Sequence, residues 1–318
     1  MGLNMNSRQM LLVGASAGIA AVLLVAALFT GVIDTNDDKL GVVASFYPLA
    51  YMAEEIGGER ASVRSLIPHN TEVHAWSPAP TDIVAADNAD VLLYNGAGLD
   101  HWFEDDVLPA LGDKVRIVVE TTEGLELIPG GEHGDEPEGD DHGDYDPHTW
   151  LSPYMARLQA EKIYDAFVEA DPDGEEYYSQ RWTALSGRLD ALDAAYSNGL
   201  ANATNGTAIV SHAAYGYLAH RYGFEQRGVI GLSADEQPSA AELADLVDLM
   251  VAEGIRAVYV DPIYSDAFVQ TLKTELQSGT GDEVIILSLY LALGPTDGLD
   301  YVEQLESNLD ALERGLAG

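Results

Sequence analysis

Cysteine is absent from all 318 residues. Disulfides, thiolate zinc fingers and an acylated cysteine anchor are therefore excluded. Imidazole and carboxylate are the only strong ligands left for a transition metal. Basic residues are scarce, with 15 Lys and Arg against 53 Asp and Glu, a net charge of −38. Lysine is confined to Lys39, Lys114, Lys162 and Lys273. Nucleic-acid phosphates need Lys and Arg to neutralise them, so nucleic acid is excluded as a partner. The acidic field draws cations in, although its bulk serves first to solvate the chain; acidity with so little lysine resembles halophilic proteins. Catalytic signatures are missing too. There is no His-Glu-x-x-His zinc hydrolase motif and no nucleophile motif, so an enzyme is not expected.

What is present begins with Met10 to Ile33, an unbroken run of apolar and small residues preceded by Arg8 and followed by Asp34, Asp37 and Asp38. As a helix it spans about 30 Å of hydrocarbon. Its flanking charges put the N-terminus in the cytoplasm and the body outside. Residues 10–33 are read as a transmembrane anchor, with a cleaved signal segment as the alternative. Either places the protein at the outer face of the cell membrane or beyond it.

After this run, strands are expected at Leu40–Ser45, Val63–Ile67, Val91–Tyr94 and Val115–Val119. Helices are expected from Pro48 to Gly57, at Pro80–Asn88 and at His101–Leu111. Strands alternating with helices imply a parallel sheet. The pattern restarts with strands at Ala208–Ser211, Ala257–Val260 and Val284–Ser288, and helices at Ala213–Tyr222, Ala240–Glu253, Asp266–Gln277 and Tyr301–Leu316. Between the two halves lie helices Pro153–Glu169 and Glu175–Leu200. The second carries an apolar stripe of Trp182, Leu185, Leu189, Leu192 and Tyr196. The expected class is α/β, with two lobes, each a small parallel sheet flanked by helices, joined by one long rigid helix. The lobes are expected at 39–172 and 204–318, with the connecting helix at 173–203. Residues 130–145 are Gly, Asp, Glu and His with almost nothing apolar, a loop unable to order itself by burial.

Histidine is the residue type that carries chemistry. His74 follows a strand and precedes Trp76-Ser77-Pro78, His148 lies between Pro147 and Trp150, and His212 ends a strand before a helix. Singly, each reads as well as a hydrogen-bonded structural histidine. Ligands in open α/β sheets bind at the carboxyl ends of strands, so their coincidence at such positions in both lobes favours one shared metal site. They are too far apart to form a local finger.

Several segments then carry a resemblance. They are Ser45-Phe46-Tyr47-Pro48-Leu49, Leu66-Ile67-Pro68, Glu72-Val73-His74, Asp146-Pro147-His148-Thr149-Trp150-Leu151-Ser152-Pro153 and Ser211-His212-Ala213-Ala214-Tyr215. From Val42 to Leu316, in order, the chain resembles the solute-binding component of zinc/manganese ABC importers. The Asp-Pro-His-x-Trp-Leu block is the most selective piece. The resemblance implies a metal held between the lobes by His74, His148 and His212, Zn2+ or Mn2+ as cargo, and an ABC permease with its ATPase as partners. His212 stands where manganese-type relatives often carry Glu, which favours zinc. Around Ile286–Tyr290 the chain departs from the family: Ser288 stands where an aspartate ligand is expected, leaving Glu72 or a water as fourth ligand. The loop histidines His133 and His142, set among acids, match the flexible loop of zinc-type members, an auxiliary metal-collecting tract. A manganese or iron importer component, or a surface adhesin on the same fold, are the alternative readings.

Overall fold

The structure is a computed structural model describing residues 39–130, 145–203, 206–232, 238–265 and 267–317. The expected membrane segment 10–33 and the loop histidines His133 and His142 lie outside the described residues. No described helix is long and apolar enough to cross a membrane.

Two four-stranded parallel sheets share one topology. The first contains β1 (Leu40–Ala44), β2 (Ala61–Ser65), β3 (Val91–Tyr94) and β4 (Ile117–Glu120), in the order β2-β1-β3-β4. The second contains β5 (Thr207–His212), β6 (Glu225–Ile230), β7 (Ala257–Val260) and β8 (Ile285–Ser288), in the order β6-β5-β7-β8. Central strands covered on both faces read as unbroken apolar runs: β3 is Val-Leu-Leu-Tyr and wholly buried, as are β5 and β7. In each sheet the order reverses beside the first strand. The carboxyl ends at that switch point open the crevice where such sheets bind ligands.

Helices α1 (Tyr47–Gly57) and α2 (Pro80–Asn88) belong to the first half, and α3 (Pro153–Ala170) and α4 (Glu175–Gly199) follow it. The second half carries α5 (Gly216–Tyr222), α6 (Ala240–Glu253), α7 (Ala267–Thr280) and α8 (Tyr301–Leu316). Proline opens α1, α2 and α3, where its missing N–H is no loss. Ser239 and Asp300 form reciprocal capping boxes with Glu242 and Glu303 on α6 and α8.

His101–Leu111 is helical as expected, but not as one regular α-helix: a π-helical turn at Phe103–Val107 runs into a 3-10 turn at Leu108–Ala110. Pro109 has no N–H to continue the regular ladder. The strand β6 was not expected at all. Glu225-Gln226-Arg227-Gly228 lies at a sheet edge, where one side faces solvent, so no apolar run announces it.

The core crosses from one half to the other. Leu49, Leu92, Trp150, Phe167, Leu189, Tyr196, Val210, Leu289 and Leu305 belong to a single buried cluster. On α4 the stripe Leu185, Leu189, Leu192 and Tyr196 is buried, and Trp182, half-buried, stacks on Tyr164 of α3 at 6.0 Å. The Tyr196 hydroxyl donates to the Leu305 carbonyl of α8 at 2.7 Å. A smaller cluster with Ile209, Val258, Met250 and Leu272 covers the other face of the second sheet. A strap from Leu289 to Asp300 returns to the first half: the Trp150 indole donates to the Leu291 carbonyl at 2.8 Å, and Asn70 N–H to the Leu293 carbonyl at 2.9 Å. These contacts set the frame that holds the crevice.

Candidate metal centre

His212 is the last residue of β5, His74 lies in the loop between β2 and α2, and His148 precedes the 3-10 turn Thr149–Leu151. Three segments remote in sequence thus meet at the strand ends of the two sheets. Among the described residues, these three histidines form a group able to hold a metal ion. The Nε2 atoms of His74 and His148 are 3.3 Å apart, and those of His212 and His148 3.2 Å. With Zn–N bonds of about 2.0–2.1 Å, the edge of a coordination tetrahedron is about 3.3 Å. The spacing therefore fits nitrogens sharing one ion. Hydrogen bonding is a poorer account, since a neutral imidazole has one donor and one acceptor and three converging nitrogens cannot all be paired.

Electrostatics prepares the same state. His148 and His212 are each 1% exposed, while His74 is half-buried. Burial holds the His148 imidazole well below its ordinary range, and takes His212 down to about 3 with help from His148 and His74 beside it. Both are neutral near pH 7 and have a lone pair to offer. His148 Nδ1 lies 2.8 Å from Asp146 Oδ1, which also accepts the His148 backbone N–H at 2.9 Å. With its Nδ1–H donating a hydrogen bond to the carboxylate, the imidazole turns its Nε2 lone pair toward the other histidines. Burial pushes Asp146 up to about 7, against the His148 N–H and His74. A side chain at Gly216 would collide with the Asp146 carboxylate, so glycine at the start of α5 is what admits it.

Glu72 stands beside the trio with both oxygens engaged: Oε1 accepts the His74 backbone N–H at 3.1 Å, and Oε2 accepts the Tyr264 hydroxyl. Ser288, at the position where the resemblance implies an aspartate ligand, is exposed at the end of β8. The buried carboxylate of this half is instead Asp261, at the end of β7. Its oxygens accept the N–H groups of Ile263, at 2.7 Å, and of Leu291. Burial raises it to about 6.

A family model described as ZnuA, zinc-uptake complex component A, periplasmic, matches residues 42–315. The chain belongs to the ZnuA family. It is 34% identical over 291 residues to the high-affinity zinc uptake system protein ZnuA of Bacillus subtilis, covering 90% of each. It is 33% identical over 285 residues to the zinc-binding lipoprotein AdcA of Streptococcus pneumoniae, covering 87% of this chain and 56% of that one. The chain thus spans about half the length of that second relative. The crystal structure of the Zn(II)-bound ZnuA-like domain of Streptococcus pneumoniae AdcA superposes with a TM-score of 0.74 at 31% identity, covering 88% of this chain and all of that one. A laminin-binding protein of Streptococcus agalactiae has a TM-score of 0.76 at 24% identity, a likeness of fold alone.

Within this ZnuA-family chain, sequence reasoning named the three converging histidines but missed their supports. Asp146 was readable, because it sits two residues before His148 in the quoted Asp-Pro-His block. Asp261 and Tyr264 carried no signal, since nothing local tells that the end of β7 faces the loop of His74.

Proposed function

We propose that His74, His148 and His212 hold one zinc ion as cargo through their Nε2 atoms, and that the chain is the binding component handing it to an ABC permease and its ATPase. The convergence of three imidazoles, two of them buried and neutral, with the His74 and His212 nitrogens each a tetrahedral edge from that of His148, carries this reading. It is a solute-binding protein and not an enzyme, as befits its family. A water completes the tetrahedron, because Glu72 would first have to give up Tyr264 to become the fourth ligand. Three imidazoles suit zinc better than manganese, which favours carboxylate and carbonyl oxygen. The protein works at the outer face of the membrane, with residues 10–33 as its anchor. The loop bearing His133 and His142 gathers zinc weakly. The test is metal analysis and calorimetric titration of protein purified without chelator or tag metal. One tightly bound zinc per chain, lost in His148→Ala and outcompeting manganese, is expected. Preference for manganese, or tight binding that survives His148→Ala, refutes the assignment.

A further inference from the structure

The loop after β7 reaches across the crevice. Asp261 anchors it: one carboxylate oxygen accepts the Ile263 N–H at 2.7 Å, the other accepts the Leu291 N–H, and the Tyr264 N–H closes a turn on the Asp261 carbonyl at 3.1 Å. Tyr264 is thereby held with its ring against His212, centroids 5.7 Å apart at 65°, and its hydroxyl on Glu72 Oε2. Glu72 is in the first half of the chain, 192 residues away in sequence. Its other oxygen grips the His74 backbone N–H. One side chain therefore runs from a candidate ligand of one sheet to the loop bearing a candidate ligand of the other. His74 is also the half-buried member of the trio, so the ion's way out lies on its side, where Tyr264 and Glu72 meet.

We propose that the Tyr264–Glu72 hydrogen bond is a latch setting how fast the metal leaves, with Tyr264 a positioning residue and Glu72 its acceptor. The inference rests on the three-histidine zinc site above. A bond that fastens the His74 loop in the closed state opposes departure of the ion more than its arrival at an opened loop, so the dissociation rate should bear most of the effect. Hydrogen bonds to charged acceptors are among the stronger ones, and the bond must break before the His74 loop can lift.

The test is stopped-flow zinc release from the zinc-loaded full chain into excess chromogenic chelator, with association measured separately. Tyr264→Phe keeps the ring on His212 and loses only the hydroxyl. It should release zinc about tenfold faster, with a smaller change in association and an unaltered melting temperature of the metal-free protein. Glu72→Ala, which also frees the His74 backbone N–H, should release zinc at least as fast, and the double variant should be no faster than Glu72→Ala alone. Glu72→Gln can keep its oxygen on the His74 N–H and turn its amide N–H to the Tyr264 oxygen, so the link survives and release should stay slow. Wild-type release in Tyr264→Phe, or a Glu72→Gln as leaky as Glu72→Ala, would overturn the latch, the latter marking Glu72 as a ligand. The same samples separate the two readings. Zinc that stays bound after His148→Ala refutes the site itself, whereas a sound site with unchanged Tyr264→Phe kinetics refutes the latch alone.

Discussion

Asp146 holds His148 by two contacts, to the ring and to its own backbone N–H. A carboxylate partner of this kind fixes ring orientation and raises basicity, and its loss costs about 10–100-fold in metal affinity. Asp146→Asn should therefore bind zinc weaker by about that factor, while His220→Ala, exposed on α5, should bind as wild type. Competitive titration against a chelator of known affinity measures both. The same variant has a pH signature in the metal-free protein. Asp146 is pushed up to about 7, against about 3.9 for an unfolded aspartate. Between these values the folded state binds the proton more tightly, so stability from this group is gained as pH falls and lost as pH rises through 7. His148 and His212 are depressed and work the other way, losing stability as pH falls below about 6.5. Wild type offsets them with Asp146; the asparagine variant does not. The gap in melting temperature between the two should widen in favour of wild type from pH 7 to 5. A gap that narrows would contradict the compensation.

At the scale of elements, the base of the His/acid loop is informative. Pro129 and Tyr145 form an isolated antiparallel bridge, and Asp146 N–H donates to the Ile128 carbonyl at 3.0 Å. The two ends of the loop are thus already side by side. Replacing residues 131–144 by a short glycine-serine turn should leave the melting temperature and the tight zinc site unchanged, and remove only weak extra zinc uptake. Loss of the tight site in equilibrium dialysis would make His133 or His142 a primary ligand. Elements also show what sequence patterns carry. Val91–Tyr94, Ala257–Val260 and Ala240–Glu253 form where expected, because buried central strands and a capped amphipathic helix write their environment into local composition. β6 does not, since an edge strand is satisfied by half its surroundings. The stretch 103–110 is helical as expected, but in π and 3-10 form, since Pro109 has no N–H for a regular α-helical ladder.

For the whole molecule, the core spanning both halves and the α4 stripe argue for limited movement. Opening the crevice widely would expose Leu189, Tyr196, Leu289 and Leu305 and break the Trp150 and Asn70 bonds to the strap. Metal-free and zinc-loaded protein should therefore scatter X-rays in solution with nearly the same radius of gyration, release needing only local movement such as lifting of the His74 loop. A marked compaction on binding would point to a hinged clamp. By itself the sequence determined the ligand chemistry, since without cysteine only imidazole and carboxylate remain, and it determined the α/β class, since burial on both faces leaves uninterrupted apolar strands. It also marked His74, His148 and His212 by their positions at strand ends and by the Asp-Pro-His block. Only the tertiary structure decided that the Nε2 atoms of His74 and His212 come within 3.2–3.3 Å of that of His148, that Asp146 backs one of them, and that Tyr264 crosses to Glu72. Distances between segments some 70 to 190 residues apart depend on how two sheets pack, and packing is a sum over the whole core that no local stretch records.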